Sequence, residues 1–170
     1  MDLSQLSPSD AVVALRGLER RYRGLFAGLS EDESPDDLAH RRVGDWSAID
    51  HAAAAARFIA RANRALARVL TADSPSVAAA DVDPADSSSP GAPPGPVDGP
   101  LAELGLQANA MADRIDRVPA GDWSRTAAVD DGRTVTALDI VRAAVDAGVS
   151  HLRAAEKVLA AVRGRPADPG

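Results

Sequence analysis

Apolar residues recur along most of the chain at alternating steps of three and four, the period of a helix with one buried face. The pattern covers four stretches, at residues 8–29, 47–71, 101–118 and 136–163. In the first stretch the inward positions are Ala11, Leu15, Leu18, Tyr22, Leu25 and Leu29. Spacing of this kind, kept over many turns, is typical of helices that pack at shallow crossing angles. It predicts an all-α fold and, within that class, a four-helix bundle.

The predicted helices begin at recognisable capping signals. Ser47 and Asp50 stand at the start of the second helix, and Thr136 and Asp139 stand in the same way at the start of the fourth. A hydroxyl followed three residues later by a carboxylate forms a capping box, in which each side chain accepts a hydrogen bond from the other residue's backbone N–H. Residues 7–10, Ser-Pro-Ser-Asp, give the first helix a similar start with proline at its first position.

The segment 73–98 interrupts the helical pattern between the second and third helices. It holds half of the 12 prolines together with Ser, Ala, Asp and Gly, and it shows no periodicity. This composition predicts a flexible, low-complexity crossover. Neither half of the chain buries its apolar stripes alone, so residues 1–170 are expected to form one domain, with 165–170 as a frayed tail. Asp-Asp-Gly at 130–132 predicts a turn between two short extended pieces.

Composition narrows the classes of function. Only 3% of the 170 residues are aromatic although 45% are hydrophobic, so small aliphatic side chains must form the core. The absence of cysteine excludes disulfides, thiolate ligands and a cysteine nucleophile. A net charge of −6 without a long basic run argues against a nucleic-acid partner. No signal-like N-terminus and no long apolar run occur, which predicts a cytoplasmic protein without a membrane partner.

The tetrapeptide Gly-Asp-Trp-Ser occurs twice, at 44–47 and at 121–124, and the two copies hold the only tryptophans. Each copy precedes a capped helix, which suggests a two-fold arrangement of helices around a shared interior. Trp46 and Trp123 are expected to plug the two ends of the bundle, with the lining of a pocket as the alternative. Four arginines on the second helix are expected to form a solvated face, with recognition of an acidic partner or of a cofactor's carboxylates as the alternative: Arg57, Arg61, Arg64 and Arg68.

Two of the three histidines fall on inward faces of predicted helices. His51 lies one turn into the second helix, and His151 lies on the apolar face of the fourth between Gly148 and Ala155. Small neighbours leave space beside an imidazole for a ligand or a metal. The alternative is a core histidine whose ring nitrogens bond a carbonyl or water. His40 lies in a charged loop and is expected to be solvated.

Residues 46–51, Trp-Ser-Ala-Ile-Asp-His, before an alanine-rich helix resemble the opening of the second helix in the DinB/YfiT-like superfamily of four-helix bundles. Residues 122–124 and 141–153 resemble the matching C-terminal signature of its actinobacterial members. The similarity covers about 8–163 apart from 73–98, and it implies an up-down-down-up order of helices with a long crossover. The superfamily includes mycothiol-dependent maleylpyruvate isomerases and bacillithiol transferases, in which a divalent metal activates a low-molecular-weight thiol or water.

The resemblance implies a zinc or nickel centre with three protein ligands. Members use a histidine at the start of helix two, and a Glu or His followed four residues later by a His on helix four. Carried over, His51 and His151 are the first and last ligands, whereas the middle ligand falls on Ala147. Asp146 lies ~140° around the helix from His151, so it does not replace the missing middle ligand. His40 is a candidate third nitrogen if the 30–46 loop folds over the bundle end.

Three hypotheses remain open. In the first, the chain is a metal-dependent, mycothiol-type transferase or isomerase with His51 and His151 holding the ion. In the second, the bundle keeps the pocket, has lost the metal and binds a small thiol or apolar metabolite. In the third, it is a non-catalytic interaction protein that forms a homodimer through an exposed helix face. The sequence alone does not decide whether the chain is an enzyme, and it does not name a substrate.

Overall fold

The computed structural model describes residues 5–26, 34–87, 90–92 and 95–164. In this part of the chain the α-helices are α1 (Pro8–Arg16), α2 (Leu18–Phe26), α3 (Pro35–His40), α4 (Ala48–Thr71), α5 (Asp98–Ile115) and α6 (Ala137–Arg163). The strands are β1 (Arg42–Val43), β2 (Trp46–Ser47), β3 (Ser76–Val77), β4 (Thr126–Val129) and β5 (Thr134–Thr136). The prediction of a mostly helical protein is confirmed. None of these helices has both the length and the apolar character that a membrane span requires.

The helix α4 lies at the centre of the packing. It packs along α5 and α6, and both α1 and α2 pack against α5 and α6. Every residue from Ala48 to Ala56 is buried, so the first turns of α4 are covered on all sides. Alanine suits this position because its small side chain lets two neighbouring helices approach closely. Further along, Phe58, Ile59 and Leu66 are fully buried, and each contributes roughly 1.5–3 kcal/mol.

The predicted capping boxes are confirmed, and each long helix that they open follows a short hairpin. Ser47 caps α4 and Thr136 caps α6, with Asp50 and Asp139 completing the two boxes. Strands β1 and β2 pair antiparallel before α4, and β4 and β5 pair antiparallel before α6, as the turn at 130–132 predicts. Strand β3 adds to β4 in parallel and makes the second sheet three-stranded. These small sheets are an addition to the predicted all-α fold.

The first predicted helix is two helices, because the chain breaks at Gly17 between α1 and α2. Glycine favours the break since it is a poor helix former. Beyond it, Leu25 is half-buried while Phe26 is buried, and the predicted inward Leu29 lies outside the described residues. The third predicted helix runs from Asp98 to Ile115, so it begins and ends three residues earlier than the 101–118 pattern indicates.

The crossover between α4 and α5 contains regular elements that the sequence pattern did not reveal. Besides β3 it has 3₁₀ turns at Ala79–Asp81 and Pro84–Ser87. Three of its valines are buried in the core: Val77, Val82 and Val97. Single apolar residues at irregular spacing carry no periodic signal, so the sequence pattern does not predict these elements. Residues 165–170, the predicted frayed tail, lie outside the described residues.

Candidate functional site: a histidine pair beside Trp46

His51 and His151 converge, as the sequence predicts. His51 lies in the first turns of α4 and His151 lies midway along α6, and the packing of these helices brings the rings together. Their Nδ1 atoms are 3.1 Å apart, a hydrogen-bonding distance. The ring centroids are 5.4 Å apart and the ring planes are inclined by 43°. The two imidazoles therefore form one pair rather than two separate core histidines.

Trp46 forms an aromatic wall on the histidine pair. Its indole stacks on His51, with ring centroids 4.6 Å apart and planes inclined by 14°. It also lies 6.0 Å from the centroid of His151. Trp46 therefore lines a pocket, which is the alternative that the sequence leaves open for it. Trp123 lies half-buried against the core in a 3₁₀ turn, Ala120–Ser124, so the two copies of the repeat adopt different structures.

A cavity of about 390 Å³ opens over the pair. Its walls come from β2, α4, α6 and the 3₁₀ turn at 84–87: Trp46, His51, Pro84, Ala85, Ala147, Ser150, His151 and Ala154. Apart from the rings and one serine hydroxyl, the lining is methyl groups and a proline. No local pattern in the sequence indicates that Pro84 and Ala85 belong to the site, because they lie in the aperiodic crossover and are distant in the chain from both histidines.

The position of the expected middle ligand is occupied by a methyl group. Ala147 lies one turn before His151 on the same face of α6, and it is buried in the cavity wall. Asp146 accepts a hydrogen bond from Ser150 Oγ. Within the described residues, no group of three or more His, Cys, Asp or Glu side chains could hold a metal ion.

His40 does not join the pair as a third ligand. It is half-buried at the end of α3, and its Nε2 lies 2.8 Å from the backbone oxygen of Gly95. Both expectations for His40 are thus corrected, since it is neither fully solvated nor part of the site. The bond instead joins α3 to the chain that leads into α5.

The environment of the pair keeps both imidazoles neutral. Burial, with smaller effects from the neighbouring His51 and the Arg57 guanidinium, lowers the pKa of His151 to about 4. Burial also lowers the pKa of His51, against an opposing effect of the Asp50 carboxylate. In a neutral pair one ring donates its Nδ1–H and the other accepts at its Nδ1 lone pair. One Nε2 is then a donor and the other an acceptor.

Asp50 connects the site to the crossover. Its Oδ2 accepts hydrogen bonds from the backbone and the hydroxyl of Ser47, at 2.9 and 2.7 Å. Its Oδ1 accepts from the backbone N–H groups of Gly91 and Ala92, at 3.0 and 2.8 Å. Burial raises the pKa of this carboxyl, but these hydrogen bonds outweigh burial and lower it to about 2. The sequence identifies only the capping role, because the partners at 91–92 are distant in the chain.

No family model matches this chain, and comparison with curated proteins and with solved structures gives no significant match. The resemblance to DinB/YfiT-like proteins therefore stays a prediction from the sequence. The function has to be inferred from the chemistry of the histidine pair and of the cavity above it.

Proposed function

We propose that this chain is a small-molecule-binding protein whose pocket is built on the hydrogen-bonded imidazoles of His51 and His151. The observation that carries the proposal is the 3.1 Å contact between their Nδ1 atoms inside a cavity of about 390 Å³. Small-molecule sites are typically mostly apolar cavities, upward of about 300 Å³, with few polar groups that orient the ligand. This cavity has that composition.

The chemistry of the walls defines the ligand class. Trp46 and the alanines favour a compact molecule with a flat or apolar body. The histidine pair supplies polar ring groups to an otherwise mostly apolar lining, which suits a molecule with one small polar group such as a thiol or a hydroxyl. Charged groups fit less well, because the low pKa of His151 keeps the pair from supplying a compensating charge.

We also infer that α1 and α2 together with α4, α5 and α6 form a four-helix bundle in up-down-down-up order. Support comes from contacts between helix ends. Asp50 at the start of α4 bonds Gly91 and Ala92 just before α5 begins, so α4 and α5 start at the same end. Arg125, which precedes α6, donates to the backbone of Val69 near the end of α4, as antiparallel helices require.

The metal-dependent alternative does not fit the residues present. Two nitrogens bound to one zinc at about 2.0–2.1 Å lie roughly 3.3 Å apart, so the spacing of the pair alone is compatible with a shared ion. A catalytic zinc usually has three protein ligands, however, and Ala147 stands in the third place. The homodimer hypothesis stays a prediction. Among the described residues, the exposed large apolar side chains that such an interface could use are Val13 and Leu106.

A fluorescence titration tests the binding proposal. In a Trp123→Phe background Trp46 is the only tryptophan, so its emission reports on the cavity. With chelator present, 2-phenylethanethiol and 2-phenylethanol should change that emission saturably. Adding Ala154→Leu, which fills the cavity from its half-buried wall, should abolish the response. Adding His40→Ala, at the histidine outside the pair, should leave it unchanged.

Two results would overturn the proposal. One is a response that does not saturate with either compound, or that persists in the Ala154→Leu variant. The other is saturable binding only after zinc or nickel replaces the chelator, which would favour the metal-dependent alternative.

A further inference from the structure

A second cavity lies on another face of α4, between that helix and the first turns of α5. It has a volume of about 580 Å³. Its α4 wall consists of alanines at 53, 56 and 60 together with Arg57, Arg61 and Arg64, and its α5 wall includes Pro100 and Glu103. We call it the arginine groove. The sequence predicts a solvated arginine face here, but Arg57 and Arg61 are half-buried.

Backbone carbonyls hold the guanidinium groups of Arg57 and Arg61 in place. Arg57 Nη1 donates to the backbone oxygen of Gly91, and Arg61 Nη2 donates to that of Ala80, both at 3.2 Å. A carbonyl orients a guanidinium but carries no charge to balance it. Asp81 Oδ1 lies 3.6 Å from Arg61 Nε and balances that residue in part.

Two further observations indicate that positive charge is in excess here. Arg64 is exposed and makes no hydrogen bond or ion pair within the described part of the chain. Burial lowers the pKa of Arg57, and the like charge of Arg61 lowers it further against an opposing effect of the Asp50 carboxylate. Glu103 on the opposite wall accepts a hydrogen bond from Gln107, and no salt bridge between described residues joins it to Arg61 or Arg64.

The spacing of the arginines indicates the shape of a ligand. Residues 57, 61 and 64 are four and three apart, so they share one helix face and extend over about 10 Å of its axis. A guanidinium binds a carboxylate or a phosphate through two parallel hydrogen bonds. The alanine floor between the arginines offers only methyl groups. We propose that the arginine groove binds a small organic dianion, with two oxyanion groups joined by an apolar spacer.

The test compares three anions by isothermal titration calorimetry at constant ionic strength. Suberate has two carboxylates joined by an apolar chain, hexanoate has one carboxylate with an apolar chain, and pyrophosphate has two oxyanions without a spacer. We expect suberate to bind at least about tenfold more tightly than either of the others, because only suberate can use two arginines and the floor together.

Variants locate the binding. Arg64→Gln should weaken suberate binding about tenfold or more, and it should not disturb folding because Arg64 has no described partner. Arg153→Gln removes the same charge from an exposed position on α6 and should leave binding unchanged. Equal affinity for all three anions, tighter binding of pyrophosphate, or an equal loss in both variants would overturn the proposal. These outcomes do not depend on the tryptophan titration of the histidine pocket.

Discussion

Asp50 should contribute far more to stability than an ordinary capping residue. Replacing it with alanine removes the capping partner of Ser47 and both bonds that fix Gly91 and Ala92 to the start of α4. Asp139 is the matched control, because it forms the same capping box with Thr136 at the start of α6. Its side chain is 48% exposed, whereas that of Asp50 is 2% exposed.

The magnitude follows from the pKa of Asp50. A carboxyl whose pKa falls from 3.8 to about 2 on folding contributes about 2.5 kcal/mol to the free energy of unfolding at neutral pH. Alanine also leaves the N–H of the half-buried Ala92 without an acceptor, at a further cost of about 1 kcal/mol, whereas the exposed Gly91 can bond water instead. We therefore expect a loss of roughly 3–4 kcal/mol for Asp50→Ala. For Asp139→Ala we expect about 1 kcal/mol, the usual effect of losing a cap.

Urea denaturation followed by far-UV circular dichroism measures both losses. The sign of the pH dependence gives a second check. The folded pKa of Asp50 is lower than the unfolded one, so its contribution is complete above about pH 5 and declines as the pH falls towards 2. The difference between wild type and Asp50→Ala should shrink over that window. If Asp50→Ala and Asp139→Ala lose the same free energy of unfolding at neutral pH, the bonds to Gly91 and Ala92 contribute nothing and the reasoning is wrong.

Three further predictions concern the histidine pair and its surroundings. Ala147→His places a third nitrogen one turn before His151, so zinc should bind that variant about 100-fold or more tightly than wild type. The control Ala161→His, at an exposed position of α6, should bind zinc as wild type does. Tight stoichiometric zinc binding by the wild type would contradict this prediction. The ring protons of His151 should titrate in NMR spectra with a midpoint near pH 4. The free energy of unfolding should decline as the pH falls from 6.5 to about 4, because over that range His151 takes up a proton in the unfolded chain but not in the folded one. A titration midpoint near pH 6.5 would contradict the argument that burial lowers this pKa. Gly148→Ala should lower the thermal midpoint by an amount corresponding to roughly 1–3 kcal/mol, because the added methyl would lie 2.7 Å from Leu18 Cδ1 in the core. A raised midpoint would show that the Leu18 side chain moves aside and that the higher helix propensity of alanine dominates.

The sequence predicts those parts of the molecule that are encoded by a short-range pattern, such as a helical period or a capping signal. The long helices at 48–71 and 137–163 follow from a helical period that ends at a capping signal, and the convergence of His51 and His151 follows from their inward positions on those helices. The apolar pattern predicts one helix over 8–29 where the structure has two, because a single glycine at 17 does not disturb the pattern around it.

Other features depend on contacts between distant residues and left no local signal. Pro84 and Ala85 line the histidine pocket from an aperiodic segment. Asp50 also anchors the crossover, but its partners there, Gly91 and Ala92, lie more than 40 residues away in the chain. The repeated Gly-Asp-Trp-Ser is the opposite case, since identical tetrapeptides form a strand beside the pocket in one copy and a 3₁₀ turn in the other. Trp46 and Ser47 pair with β1, whereas the second copy lies in a 3₁₀ turn. The repeat therefore does not produce the two-fold arrangement around the site that it suggests.

The crossover joins the two proposed binding sites physically. Its 3₁₀ turn at 84–87 lines the histidine pocket, while its carbonyls at Ala80 and Gly91 orient the arginines of the groove. Asp50 fixes the same segment at 91–92. Loosening this anchor should therefore weaken phenylethanethiol and suberate binding together in Asp50→Asn, a milder change that keeps one carbonyl oxygen. Ala154→Leu and Arg64→Gln should each affect one ligand alone. If Asp50→Asn is folded and alters neither affinity, the crossover covers the two sites without holding them in shape.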